Sequence, residues 1–136
     1  MMVTVDIAYE GDLHCTAIHG PSGSRLLTDA PVDNRGKGER FSPTDLVGTA
    51  MGTCMLTIMG ICARDKGIDM AGATARVEKE MGAVPRRHIA RLTVTITLPA
   101  RLDARERANL EAAAGGCPVY ASLGPSTTVD LSFVYV

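Results

Sequence analysis

Val3, Val5, Ile7 and Tyr9 alternate with polar or small residues, which is the period of a half-buried strand. Glu10-Gly11-Asp12 reads as a turn, and Leu13, Cys15 and Ala17 carry the alternation on into a second strand. Gly20-Pro21-Ser22-Gly23 marks another turn, with a short third strand over Arg25–Thr28. From Asp29 to Phe41 the pattern dissolves into Pro, Gly, Asn and charge, which reads as a mobile loop. The period then changes. Leu46–Ala63 carries no ionisable side chain except two thiols, and the signals around it predict a helix over Pro43–Lys66. Ser42 suits the N-cap, Pro43 the first helical position, Asp45 the positive end, and Gly67 the stop.

Alternation returns at Ala73–Met81 and Ile89–Leu98. In the latter, Ala90, Leu92, Val94, Ile96 and Leu98 share one face, and Arg91, Thr93, Thr95 and Thr97 the other. That pattern describes an antiparallel sheet with one wet face. Asp103 and Glu106 form a capping-box start for a helix through about Ala114. A short helix from Pro118 and a last strand over Thr127–Tyr135 complete the order βββ-α-ββ-α-α-β. The fold class is therefore α+β, and 136 residues suffice for a single domain over 1–136.

Charge and composition narrow the function. A net charge of −1 with mixed signs argues against nucleic acid or a membrane surface as partner, and three Tyr, two Phe and no Trp offer little base stacking. The uncharged run is long enough to raise the question of a membrane span, but its glycines and threonines make it weakly apolar, and a buried core helix fits better. The N-terminal residues show no basic stretch followed by an apolar one, so a cytoplasmic setting is expected. There the four cysteines stay reduced unless a bridge is transient or catalytic.

The thiols differ in setting. Cys54 shares a helix face with Val47, Ala50, Met51, Ile58 and Ile61; burial alone would leave it inert, and activation needs a cation such as the Arg35–Arg40 loop carries. Cys62 lies ~12 Å along the same helix, beyond disulfide reach. Cys15 and Cys62 read as core residues. Cys117, directly before Pro118, would feel the unpaired N–H groups of a helix start, which favour a thiolate. A Cys54–Cys117 redox pair and plain core packing both fit these residue types. No metal-ligand spacing is present, since His14 and Cys15 are strand neighbours on opposite faces. Phosphate-loop and serine-nucleophile motifs are also missing. Gly48 and Gly52 make a small-residue stripe that would admit another helix, and so apolar a helix needs cover that an intertwined homodimer would supply.

Ser42-Pro43-Thr44-Asp45-Leu46, the small-residue helix reaching Cys54, and Cys117-Pro118-Val119 together resemble the OsmC/Ohr family of thiol-dependent peroxidases. The resemblance spans nearly the whole chain. It implies an intertwined homodimer with central helices packed against sheets. It implies that Cys54 attacks the peroxide of an organic hydroperoxide, and that Cys117 condenses with the resulting sulfenic acid to a disulfide. A dithiol reductant such as a lipoyl protein would reopen that disulfide, and no other cofactor is called for. In better-studied members a Glu follows the helix-starting Pro and pairs with an Arg. Thr44 stands there in this chain, so Glu39 or Asp45 would replace the Glu, with Arg35, or else Arg40 or Arg25, as the cation. The chain thus resembles a divergent branch. Two alternatives share the fold: a non-enzymatic dimer binding a small apolar ligand, and thiol chemistry on another electrophile such as a disulfide or persulfide.

Overall fold

The computed structural model describes residues 1–136, which divide into two compact units, Met1–Leu46 and Val47–Val136. In the first, strands β1 (Val5–Gly11), β2 (His14–His19) and β3 (Arg25–Asp29) form an antiparallel sheet in the order β1-β2-β3. The β1–β2 turn runs through three left-handed residues, Gly11, Asp12 and Leu13, so Leu13 belongs to the turn and not to the second strand as the alternation implied. A shift of the pairing between Tyr9 and Gly11 accommodates the turn.

The stretch expected as a mobile loop is organised. A 3₁₀ turn over Val32–Asn34 is followed by the Gly36 amide, which bonds the Pro31 carbonyl at 3.0 Å. A side chain at Gly36 would overlap the Ala30 carbonyl oxygen, its Cβ falling 1.7 Å away. The segment closes where the Asp29 amide bonds Phe41 O at 3.1 Å and Glu39 N donates to Asp29 Oδ2 at 3.0 Å. Loop composition announces irregular backbone, and here hydrogen bonds hold that backbone in one path.

Helix α1 (Pro43–Lys66) has the predicted bounds. Its start is a reciprocal cap, with Asp45 N donating to Ser42 Oγ at 3.1 Å and Ser42 N to Asp45 Oδ2 at 2.9 Å. By length and hydropathy alone α1 could cross a membrane, its best 18-residue window averaging 1.8. One stripe is nevertheless core: Gly48, Met51, Gly52, Met55, Met59 and Ala63 are buried at three- and four-residue spacings.

The remaining elements complete the second unit: β4 (Thr74–Gly82), β5 (His88–Leu98), α2 (Ala104–Gly115), α3 (Pro118–Ser122) and β6 (Thr128–Tyr135). Strand order is β4-β5-β6. β4 and β5 pair antiparallel as expected, whereas β6 runs parallel to β5. The parallel step follows from connectivity, because two helices intervene between β5 and β6 and bring the chain back to its starting end. Leu92, Val94, Ile96 and Leu98 of β5 pack with the α1 methionines, Leu110 and Ala114 of α2, and Cys117. The α2 capping box is present as read, Glu106 N to Asp103 Oδ1 at 2.8 Å and Asp103 N to Glu106 Oε1 at 3.0 Å.

Gly48 and Gly52 serve a different neighbour from the one the sequence implied. A Cβ on Gly52 would stand 2.9 Å from Val77 Cγ2, and one on Gly48 3.4 Å from Val77 Cγ1. The small stripe therefore admits strand β4, not a second helix. Thr49, Thr53 and Thr57 lie on the exposed side, where the Thr53 and Thr57 hydroxyls donate to carbonyls one turn back at 2.8 Å.

Candidate functional site

Cys54 sits mid-way along α1, half-buried beside the methionine stripe, not at its centre. Ile61, expected on the same covered face, is 51% exposed. Cys117 is 1% exposed at the junction of α2 and α3. Gly116 ends α2 with its N–H on Ala113 and Ala114 carbonyls, Cys117 follows in extended conformation, and Pro118 occupies the first position of α3. These two ends of the fold bring the thiols together: Cys54 and Cys117 are close enough to share a side-chain hydrogen bond. Both belong to the second unit and both are free thiols.

The electrostatics at Cys117 differ from what its helix-start position implied. Burial pushes its pKa above the ordinary 9.0, and the hydrogen bond with Cys54 adds to the rise. The N–H groups of Tyr120 and Val119 pull the other way but do not prevail. Cys117 is thus a neutral thiol at neutral pH. Such a group is poorly suited to a first nucleophilic attack.

The other cysteines stand apart from this pair. Cys62 is half-buried and its thiol faces Asn109 O at 3.8 Å, consistent with a packing residue. Cys15 lies in β2, paired with Tyr9 and Thr28 on either side.

Arg35 and Glu39 belong to the first unit, as do Arg25 and Arg40. Arg35 is exposed and left-handed, with φ at 70°, at the end of the 3₁₀ turn. Glu39 turns its carboxylate to His14 Nε2 at 3.5 Å, and Arg40 donates to the Glu39 carbonyl at 3.0 Å. Asp45 gives one carboxylate oxygen to the helix cap. His14 and Asp29, which no sequence motif singles out, join Glu39 in a cluster whose ligand-capable atoms all lie within 4.8 Å of one another. The β2–β3 register sets His14 opposite Asp29, and the closure of the loop on Asp29 brings Glu39 to them.

A sequence profile for "OsmC-like protein" matches residues 36–132. The chain belongs to the OsmC-like family. Among solved structures, one from Psychrobacter arcticus is described as a candidate osmotic stress induced and detoxification response protein. It is 45% identical, with a TM-score of 0.90 over 98% of this chain and 96% of its own. The organic hydroperoxide resistance protein OsmC of Legionella pneumophila shares the fold at 18% identity and TM-score 0.75, covering 98% and 97% of the two chains. An organic hydroperoxide resistance protein of Bacillus subtilis does so at 15% and 0.71, with 98% of each chain covered. No curated protein matches in sequence. Within the OsmC-like frame the α+β order βββ-α-ββ-α-α-β is that of the family.

Proposed function

We propose that this OsmC-like protein is a thiol-dependent peroxidase that reduces organic hydroperoxides, and that it works as a homodimer in a reducing, cytoplasmic setting. The observation that carries the reading is the meeting of Cys54 and Cys117, one on a central helix and one at a distant helix junction. Cys54 as thiolate attacks the terminal peroxide oxygen of ROOH; the O–O bond breaks, the S–O bond forms, and the leaving alkoxide takes a proton to become ROH. The Cys117 thiol then attacks the Cys54 sulfenic sulfur, an S–S bond forms, and the hydroxyl leaves as water with the Cys117 proton. An external dithiol, of which a reduced lipoyl group is one kind, reopens the disulfide by exchange and is itself oxidised. Arg35 is the proposed cation that steadies the Cys54 thiolate, with Glu39 or Asp45 as its carboxylate partner. Burial at the pair shields the sulfenic acid from further oxidation until Cys117 reacts.

The test mixes reduced protein with a stoichiometric bulky organic hydroperoxide, then counts free thiols and maps linkages by peptide mass spectrometry. Loss of two thiols with a Cys54–Cys117 bridge is expected. Cys54→Ser should abolish turnover, and Cys117→Ser should trap a sulfenic acid at Cys54. Four unchanged thiols in the wild-type protein would overturn the peroxidase reading and favour binding of an apolar ligand.

A further inference from the structure

We propose that His14, Asp29 and Glu39 form a site for one divalent transition-metal ion, Zn²⁺ foremost, which ties the segment 30–41 to strands β2 and β3. No thiol takes part in the site, and Glu39 is the one residue it shares with those proposed above for the thiol chemistry.

Each ligand arrives by a different route. His14 opens β2 and stands opposite Asp29, the last residue of β3, in the antiparallel register. Glu39 is delivered by the closed loop, whose backbone is held on Asp29 itself. His14 Nε2 lies 3.5 Å from Asp29 Oδ1 and 3.5 Å from Glu39 Oε2. Those separations exceed the roughly 2.7–3.2 Å of an N–H···O hydrogen bond. Two ligand atoms each bonded at ~2.0–2.1 Å to a tetrahedral Zn²⁺ stand ~3.3 Å apart, close to both histidine separations, and the third pair of ligand atoms lies within 4.8 Å.

Asp29 supplies the second, independent sign of a ligand. The residue is 1% exposed and its Oδ1 is buried with no hydrogen-bond partner. An orphaned carboxylate oxygen is costly inside a protein, and a metal bond is one way to satisfy it. The Glu39 amide engages Oδ2 at 3.0 Å, so Oδ1 is the oxygen turned to His14 and the cluster. Two carboxylates and an imidazole form a donor set whose charge a divalent ion balances. The loop's own ammonium does not compete, because Lys37 is directed to Asp12 at 3.5 Å. Half-exposed Glu39 leaves an entry path and a fourth position for water or another ligand. An imidazole ligand favours Zn²⁺ and its transition-metal relatives over Ca²⁺ or Mg²⁺, which gather six or more oxygens.

The experiment titrates EDTA-stripped full-length protein with Zn²⁺ by calorimetry and reads stoichiometry by native mass spectrometry. One ion per chain is expected in the wild type and equally in a Cys54→Ser/Cys117→Ser variant, which removes the paired thiols as competing ligands. Glu39→Gln, at an exposed position that should leave folding intact, is expected to weaken affinity by about tenfold or more, and His14→Gln likewise. Co²⁺ in place of Zn²⁺ should give visible ligand-field bands without a sulfur-to-metal charge-transfer band. Unaltered affinity in both ligand variants, loss of binding in the double serine variant, a thiolate charge-transfer band, or no saturable uptake would each overturn the site.

Discussion

Burial and the start of α3 act on Cys117 in opposite directions, and burial prevails. Two of the influences that raise its pKa come from Cys54 itself, through their hydrogen bond and through charge. Removing the Cys54 thiol removes both influences and leaves the N–H groups of Val119 and Tyr120 less opposed. Cys54→Ala should therefore lower the Cys117 pKa relative to the wild type, read as thiolate ultraviolet absorbance against pH in a background lacking Cys15 and Cys62. An unchanged midpoint would show that burial alone governs it. A second residue-scale consequence is alkaline lability. Tyr135, half-buried and hydrogen-bonded to Glu111, is pushed up to about 12 by partial burial and that carboxylate, despite the Arg107 guanidinium 4.0 Å over its ring. Cys117 and Tyr135 both hold their protons in the fold at pH values where the unfolded chain, titrating near 9.0 and 10.0, has begun to lose them. Stability should thus fall as pH rises above about 9, and urea midpoints measured from about pH 8 to 11 should drop less steeply in Tyr135→Phe.

Among the elements, α1 and α2 were the most legible and the pairings the least. Pro43, Ser42 and Gly67 bracket α1, and Asp103 with Glu106 starts α2, because caps are local chemistry that needs no tertiary partner. The parallel pairing of β6, the strand facing Gly48 and Gly52, and the His14–Asp29 juxtaposition all depend on which segments meet. Alternation shows that a strand has two faces without showing its neighbour. The thiol pair was legible only through the family resemblance, since residue types alone left core packing open. The balance of forces in α1 can be measured. Met55 is fully buried, so Met55→Ala should cost about 2–5 kcal/mol in denaturant unfolding. Gly52→Val would press into Val77 and should cost about 1–3 kcal/mol despite replacing a helical glycine. Asp103→Ala, which removes an exposed cap, should cost only about 0.5–2 kcal/mol. If Gly52→Val proved neutral, the close approach of β4 to α1 would not be the reason for that glycine.

At the scale of the molecule, a single chain leaves much apolar surface in water. Val5, Ile7 and Tyr9, successive residues on one face of β1, are 48%, 70% and 67% exposed. On α1, Ile61 is exposed in line with Thr49, Thr53 and Thr57, so the helix is covered on one side only. An exposed apolar face such as that of β1 marks a surface that association buries, and the small threonines of α1 leave room for a close neighbour. Two copies meeting through the same patches would bury them reciprocally, which is the economy of a twofold dimer. Sedimentation velocity should accordingly find a dimer at micromolar concentration. Ile7→Glu would place a charge within the β1 face at an already exposed position, so it should leave each chain folded by circular dichroism while shifting the equilibrium toward monomer. A wild-type monomer under those conditions would mean that both faces stay in water. If the thiol chemistry needs the dimer, hydroperoxide turnover in Ile7→Glu should fall with the dimer fraction as the protein is diluted, and should track it through the same concentration range. Turnover independent of dilution would instead place every essential group within one chain.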